Sequence, residues 1–351
     1  MRIWFNKTFS SISSVLMCLR QAVDIEPITT IVTHTNTAAP AFLVADEYAV
    51  EPKGLMGEAY LKWCLQFCEE QAIDVFWVAK EARFLGGQRD KFAAIGTQLL
   101  LVAEPEVLAL LGRKGDFYRT LPPEVALVMD NIAVHNKTEF DQAVATLSQQ
   151  HKSLCIKPSV SVFGLGFRVL DTKRDSITHL VKGVEYEIPL SELRAGMENT
   201  PEFPEMLVME NLRGYEWSVD CAGDNGQLLC AIQRRKLAAG LGQLIDNNAE
   251  IQGMVERLTQ HFKLNGIFNI QFKLGANGPR LLEINTRPSG GFGMACLAGV
   301  NLAQLVVQAL QGKALSMAPL QYGLRVGEMS MPVILGRNDQ DTTVEIEDLE
   351  S

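Results

Sequence analysis

The chain has 351 residues, of which 47% are hydrophobic and 21% charged, with 32 basic against 41 acidic side chains and a formal net charge of -9. That composition excludes a disordered polymer, and the length divides naturally into two or three folding units. No long basic run interrupts the acidic balance, which excludes a broad nucleic-acid surface; an anionic ligand has to be met by a local group of cations.

The seven cysteines are scattered. Cys64 and Cys68 lie one helical turn apart, but no histidine or second cysteine pair completes a zinc site, so they read as buried thiols of a reducing compartment. No apolar run approaches the roughly 20 residues that span a bilayer, so no membrane partner is expected. At the N-terminus Arg2, Lys7 and the apolar run 14–19 faintly follow a signal-peptide pattern, but the run stops at Arg20. A strand over 2–6 and a helix over 11–23 account for the pattern better, and a cytoplasmic protein is expected.

Residues 1–112 alternate between strand and helix. After the first strand and the loop 7–10, the pattern predicts strands over 29–34, 74–78 and 98–102, with helices over 56–71, 87–95 and 104–111. Such alternation implies a parallel sheet covered by helices, with ligands at the carboxyl ends of its strands. Those ends carry Asn6 and Lys7, His34 to Asn36, and Ala79 to Glu81. No G-x-G-x-x-G follows the first strand, so a dinucleotide is not supported.

From Arg113 the pattern changes. Strands are predicted over 126–128 and 153–157 with a helix over 137–149 between them, and then a loop with Gly164 and Gly166 leads to another strand. The loop lacks Walker spacing; it reads either as a flap whose amides fold over phosphates or as a flexible hairpin. A helix over 175–181 and a strand over 206–210 come next. The hairpin of strands 217–221 and 227–233 turns at Gly223-Asp-Asn-Gly226 and closes on Arg234, Arg235 and Lys236. A helix over 248–262 precedes two strands over 267–274 and 280–284, and a helix over 301–311 follows them. Beyond it lie one apolar strand-like run, 323–335, and an acidic end, 338–351, expected to fray.

The late pair of strands carries the sharpest chemistry. Strand alternation sends Glu283 and Asn285 to one face, and Gln271 on the neighbouring strand brings a third oxygen beside them. Three hard oxygen donors suit Mg²⁺ or Mn²⁺, while the plainer alternative is a solvated hairpin with incidental polar residues. Arg287, on the loop that leaves the strand, is placed to meet developing phosphoryl charge.

The ordered series Lys114, Lys157-Pro158 with its glycine loop, Glu210-x-Leu212-x-Gly214-x-Glu216, Gln271 and Glu283-x-Asn285-x-Arg287 resembles the ATP-grasp superfamily. The resemblance is to the branch with the carbamoyl-phosphate synthetase large chain and pyrrolysine-biosynthesis-type ligases, over roughly 1–312. It implies an α/β fold: a Rossmann-like pre-ATP-grasp domain over 1–112, then a two-lobed α+β ATP-grasp domain. Its small lobe with the glycine flap would span 113–208 and its large lobe with the metal site 209–312, leaving a strand and acidic tail at 313–351. Lys114 and Lys157 would reach the ATP phosphates from two strands, under the flap of Gly164 and Gly166. Glu210, Asn211 and Leu212 would form the adenine hinge, with Leu212 against the ring, and Glu216 would hold the ribose. Gln271, Glu283 and Asn285 would bind the metal, and Arg287 would stabilise the transferring phosphoryl group.

Two departures stand out: Arg113 precedes Lys114 where the family usually has Asp, and the loop has only two glycines. The activity implied is ligation of a small-molecule carboxylate to an amine through an acyl phosphate, with Ser289 in the loop 288–291 bonding an anionic group of the substrate. An ATP-binding regulatory protein without turnover and a small-molecule kinase are the alternatives on the same fold. A homodimer is compatible with the sequence, which carries no signal that fixes the oligomeric state.

Overall fold

The computed structural model describes residues 1–7, 11–161, 164–238, 240–329 and 332–334. The loop positions 8–10, the flap residues Val162 and Phe163, the end of the apolar run at Leu335 and the acidic end lie outside the described residues.

The fold is α/β. Its first sheet is wholly parallel, built from β1 (Arg2–Phe5), β2 (Thr29–His34), β3 (Glu47–Val50), β4 (Val75–Trp77) and β5 (Gln98–Leu100) in the order β3-β2-β1-β4-β5. The strand over 47–50 has no counterpart among the expected elements; only Ala49 in it is even partly buried, so no apolar signal marks it. Alternation in β1 decides how the sheet is covered. Ile3 and Phe5 join the core that includes helix Ile12–Arg20, and Trp4 points to the opposite core against helix Gly57–Glu70. Trp4 stacks on Phe76 with ring centroids 3.8 Å apart.

The strand order reverses direction at β1, so the crevice at the carboxyl ends of β1 and its neighbours is the natural ligand position. A polar network builds that edge. Asn6 is fully buried; its Oδ1 accepts from the amides of Ala79 (2.7 Å) and Lys80 (3.2 Å), and its Nδ2 donates to Tyr60 Oη and the Lys80 carbonyl, both at 2.9 Å. Glu51, also fully buried, accepts from the Lys7 amide (3.0 Å) and pairs with Lys80 Nζ at 2.7 Å.

The second sheet is mixed: β6 (Asn131–Val134), β7 (Leu154–Pro158), β8 (Arg168–Asp171), β9 (Glu187–Pro189) and β10 (Met206–Glu210) in the order β6-β10-β7-β8-β9. The strand expected at 126–128 is only an isolated bridge from Val128 to Leu281, and pairing begins at Asn131 instead. One face is covered by helices Lys137–Leu147 and Leu190–Glu198. The second of these helices is absent from the expected elements, and its mixed sequence, LSELRAGME, buries only Leu190 and Met197.

The third sheet is antiparallel: β11 (Glu216–Asp224), β12 (Gln227–Lys236), β13 (Gln243–Asp246), β14 (Gly266–Gly275), β15 (Gly278–Asn285) and β16 (Arg325–Val326) in the order β15-β14-β11-β12-β13-β16. Trp217, Val219, Phe268, Ile270 and Phe272 bury one face against helix Ala249–His261. The apolar run 323–335 yields only β16 among its described residues. Helix Leu302–Leu310 packs against β11 and β14 while sharing a core with Ile3 and Phe5, which fuses the first sheet to the third. None of the helices, among the described residues, is long and apolar enough to cross a membrane.

Replacing Asn6 by Leu leaves the Ala79 and Lys80 amides without the acceptor that the Asn6 Oδ1 supplies. The expected loss is roughly 2–4 kcal/mol of stability, read from urea unfolding midpoints.

Candidate active site

Pairing in the third sheet sets the floor of the site. Residues directly opposite one another share a face, and the register puts Ser218 opposite Gln271, Gln271 opposite Glu283, and Asn269 opposite Asn285. The polar residues of β11, β14 and β15 therefore line up on the face opposite the Trp217–Phe272 core. Asn285 Nδ2 donates to Glu283 Oε1 at 3.0 Å, which confirms that the two side chains meet. The set is carboxylate and amide oxygen without sulfur or imidazole, and this chemistry fits a hard divalent cation.

Lys114 stands over this floor. Its Nζ lies 3.6 Å from Glu283 Oε2 and donates to the Ser161 carbonyl at 2.7 Å. It comes not from a strand, as expected, but from the first residue of helix Lys114–Thr120, whose buried aromatic residues, Phe117 and Tyr118, pack into the core of the third sheet. Lys157 does come from a strand, β7, and donates to the hydroxyl of Tyr118 at 2.9 Å. Burial lowers the pKa of both lysines and the charge of Glu283 opposes that shift; Lys157 lowers Lys114 further. Burial also lowers Arg287, again against Glu283, yet a guanidinium remains charged there. Its Nη1 donates to the Pro288 carbonyl at 3.2 Å.

Lys114, Glu283, Asn285 and Arg287 line one side of a cavity of about 1170 Å³, and Lys7, His34, Lys80 and Glu81, at the ends of the first sheet's strands, line the other; Lys157 and Gln271 are not among its lining residues. Gly166 and Leu165 of the glycine loop complete it. Gly164 and Gly166 have φ of 70° and 78°, and a Cβ on Gly166 would come within 2.7 Å of the Pro158 ring, so the loop needs glycine at that point. Glu81 has φ of 58°, a left-handed conformation rare outside glycine, at the cavity wall.

Other expected residues lie elsewhere. Glu210, Asn211 and Leu212 line a second cavity of about 780 Å³ with Asp130, His151 and Arg280. Asn211 Nδ2 donates to Ser153 Oγ at 3.0 Å, and Leu212 is buried in the core with Trp217 and Phe272. Glu216 pairs with Lys236. Ser289, expected to bond an anion, is 7% exposed and receives a hydrogen bond from Arg234 Nη2 at 2.7 Å.

Arg234 was legible only as one of three cations closing a hairpin. In the structure it is 1% exposed and bonds Asp220 Oδ2 through Nε (2.9 Å) and Nη2 (2.7 Å), with Ser218 at 3.1 Å. A Cβ on Gly291 would stand 2.3 Å from its Nη1, so glycine there lets the loop 288–291 lie against the guanidinium. Alternation places Arg234 on the polar face, opposite Ser218, and that was its one available signal.

One further cluster among the described residues has metal-ligand chemistry: Asp171 of β8 and Glu187 of β9 with His179 of the helix Ser176–Lys182. Arg174 already bonds both carboxylates, so the group is a closed ion-pair network rather than a cation site. Burial works against the charged form of Asp171, but hydrogen bonds from His179, Arg174 and the Lys173 and Arg174 amides outweigh it and hold the carboxyl far below its usual range.

Against known proteins, residues 202–332 match the family model described as "ATP-grasp in the biosynthetic pathway with Ter operon". The multifunctional protein URA2 of Saccharomyces cerevisiae is 20% identical over 294 residues, 76% of this chain; the chain spans only 13% of that relative's length. N5-carboxyaminoimidazole synthetase from Staphylococcus aureus, complexed with ADP, superposes with a TM-score of 0.63 at 16% identity, covering 90% of this chain and 78% of that one. The biotin carboxylase domain of the Hydrogenobacter thermophilus 2-oxoglutarate carboxylase, with MgADP, ADP and bicarbonate, gives 0.62 at 13% identity over 92% and 72%. L-amino acid ligase from Bacillus licheniformis gives 0.57 at 14% over 88% and 74%. The chain has the fold of these structures, and the family match is confined to residues 202–332.

Two outcomes are expected of the buried charges. Arg234→Met strands the Asp220 carboxylate and costs about 3–5 kcal/mol in denaturant unfolding. Because the Asp171 pKa is depressed on folding, its carboxylate stabilises the protein above the unfolded value near 3.9, and that contribution fades as pH falls below it. The stability gap between the parent and Asp171→Asn therefore narrows from pH 5 to pH 2, and added Zn²⁺ leaves both melting temperatures unchanged.

Proposed function

We propose that the chain is an ATP-dependent ligase that joins a small-molecule carboxylate to an amine. The observation that carries this reading is the meeting of Lys114, Glu283 and Asn285 at one end of a cavity whose other end is the ligand edge of the first sheet. The neighbours solved with ADP and MgADP, and the ligases among them, support it.

Phosphoryl transfer needs positioning and charge neutralisation more than a side-chain nucleophile. Gln271, Glu283 and Asn285 would hold Mg²⁺, which supplies neutralisation of the phosphate oxygens when bound. Lys114 and Lys157 set cations beside the phosphates, and the loop of Gly164 and Gly166 offers backbone amides above them. The hinge 210–212 and Glu216 take the nucleoside end. Arg287 faces the phosphoryl group in transfer. A substrate carboxylate oxygen attacks the γ-phosphorus, the bond to ADP breaks, and an acyl phosphate forms under Arg287. The amine nitrogen then attacks the acyl carbon, loses a proton and expels phosphate, giving the amide.

Shielding from water matters at this stage, because an acyl phosphate hydrolyses; the glycine loop over the cavity provides it. The biotin carboxylase neighbour is described as a domain dimer, and self-association of this chain is part of the same proposal.

The reading is checked by ADP release across paired carboxylates and amines with hydroxylamine as a trap. Hydroxamate formation is expected, and Glu283→Gln should lower the rate at least a hundredfold while ATP affinity changes little. ATP turnover without trapped hydroxamate, or a stable phosphorylated product without amine, would remove the ligase assignment in favour of a kinase. An unchanged function in Glu283→Gln would point to a regulatory nucleotide-binding protein.

A further inference from the structure

The pairing of β14 with β15 is interrupted at one place. Gln271 stands opposite Glu283, but its neighbour Phe272 stands opposite Leu281, so Leu282 is the extra residue of a bulge in that ladder. Bulges re-aim backbone groups and recur beside active sites. Here the Leu282 carbonyl accepts a hydrogen bond from the hydroxyl of Tyr118. The same hydroxyl accepts from Lys157 Nζ at 2.9 Å. A carbonyl has no proton to give, so the phenol proton is committed to Leu282 and only its lone pairs face the lysine. The chain of bonds therefore has one direction, from Lys157 through Tyr118 to the strand that carries Glu283.

The helix Lys114–Thr120 is the element that makes this connection. Its first residue, Lys114, reaches Glu283 and the Ser161 carbonyl, and Tyr118, one turn later on the same face, reaches Leu282 and Lys157. Two bonds from backbone amides tie its start to β7's continuation: the Lys114 amide donates to the Ser159 carbonyl and the Gly115 amide to the Ser159 side-chain Oγ. Lys157 belongs to the second sheet, opposite Leu207, whereas Glu283 belongs to the third. The Lys157 ammonium also lies 5.1 Å from the Tyr118 ring centroid, within cation–π range.

We propose that Tyr118 is a positioning residue for nucleotide binding: its hydroxyl fixes the Lys157 ammonium relative to the metal-binding strand by way of the bulged Leu282 carbonyl. This rests on the ATP-binding part of the function proposed above. Tyr118 touches no substrate; it acts through Lys157. Long lysine side chains are rotamer-rich, and a fixed acceptor removes that freedom before the phosphates arrive.

The test is a double-mutant cycle on Mg-ATP affinity, measured by titration calorimetry on the full chain with Tyr118→Phe, Lys157→Met and the double variant. Tyr118→Phe alone is expected to weaken Mg-ATP binding about tenfold, the scale of one hydrogen bond to a charged group. In the Lys157→Met background the same change is expected to alter affinity less than twofold. A purely packing role predicts instead equal effects in both backgrounds, and that result, like unchanged or tighter binding in Tyr118→Phe, overturns the proposal. Tyr118→Met, a hydroxyl-free filler of different shape, repeats the cycle should the phenylalanine variant fold poorly. A parent chain that binds no Mg-ATP overturns the nucleotide reading along with this one, whereas additive effects in a parent that binds it overturn this one alone.

Discussion

The register between β14 and β15 is the constraint on which the site depends. It sets Gln271 opposite Glu283 and Asn269 opposite Asn285, and so decides that amide and carboxylate oxygens share one face while Phe272 and Leu281 fill the other. A slip by one residue would bury the carboxylate in the hydrophobic core and turn the aromatic residues toward the cavity, an exchange too costly to be populated. The bulge at Leu282 is the single break in that order, and it frees one carbonyl for a contact from outside the sheet.

Electrostatics build on this floor. The chain is acidic overall, with a formal net charge of -9, yet Lys114, Lys157 and Arg287 come together around Glu283. Burial lowers the pKa of each of them because a shielded cation loses hydration, and the carboxylate compensates in part. The cations are thus only partly compensated by the one carboxylate among them. A second buried pair, Arg234 with Asp220, serves a different end. It anchors Ser289, two residues beyond Arg287 in the loop after β15, from β12, three strands away in the sheet.

The fused core explains why the cavity has two unlike walls. Helix Leu302–Leu310 packs on the third sheet and on helix Ile12–Arg20, which covers the first, so the carboxyl ends of the parallel strands face the strand that carries Glu283 and Asn285. Asn6 and Glu51 then fix the loop carrying Lys80 and Glu81 by hydrogen bonds to buried groups rather than by exposed side-chain contacts.

The sequence by itself determined the parallel sheet, the late pair of strands and the motif series, because each is written in local periodicity or in short fixed spacings. Strand alternation alone was enough to predict that Glu283 and Asn285 meet. The short β3, the helix Leu190–Glu198 and the helix bearing Lys114 escaped, since their apolar residues are few and their burial comes from distant neighbours. Tertiary structure alone decided which cations gather: Lys114 and Glu283 are far apart in the chain, and no pattern within a few residues encodes their 3.6 Å approach. It also decided that Ser289 belongs to Arg234 and Lys157 to Tyr118, because a long flexible side chain takes the partner that desolvation leaves it, and desolvation is set by the whole packed molecule.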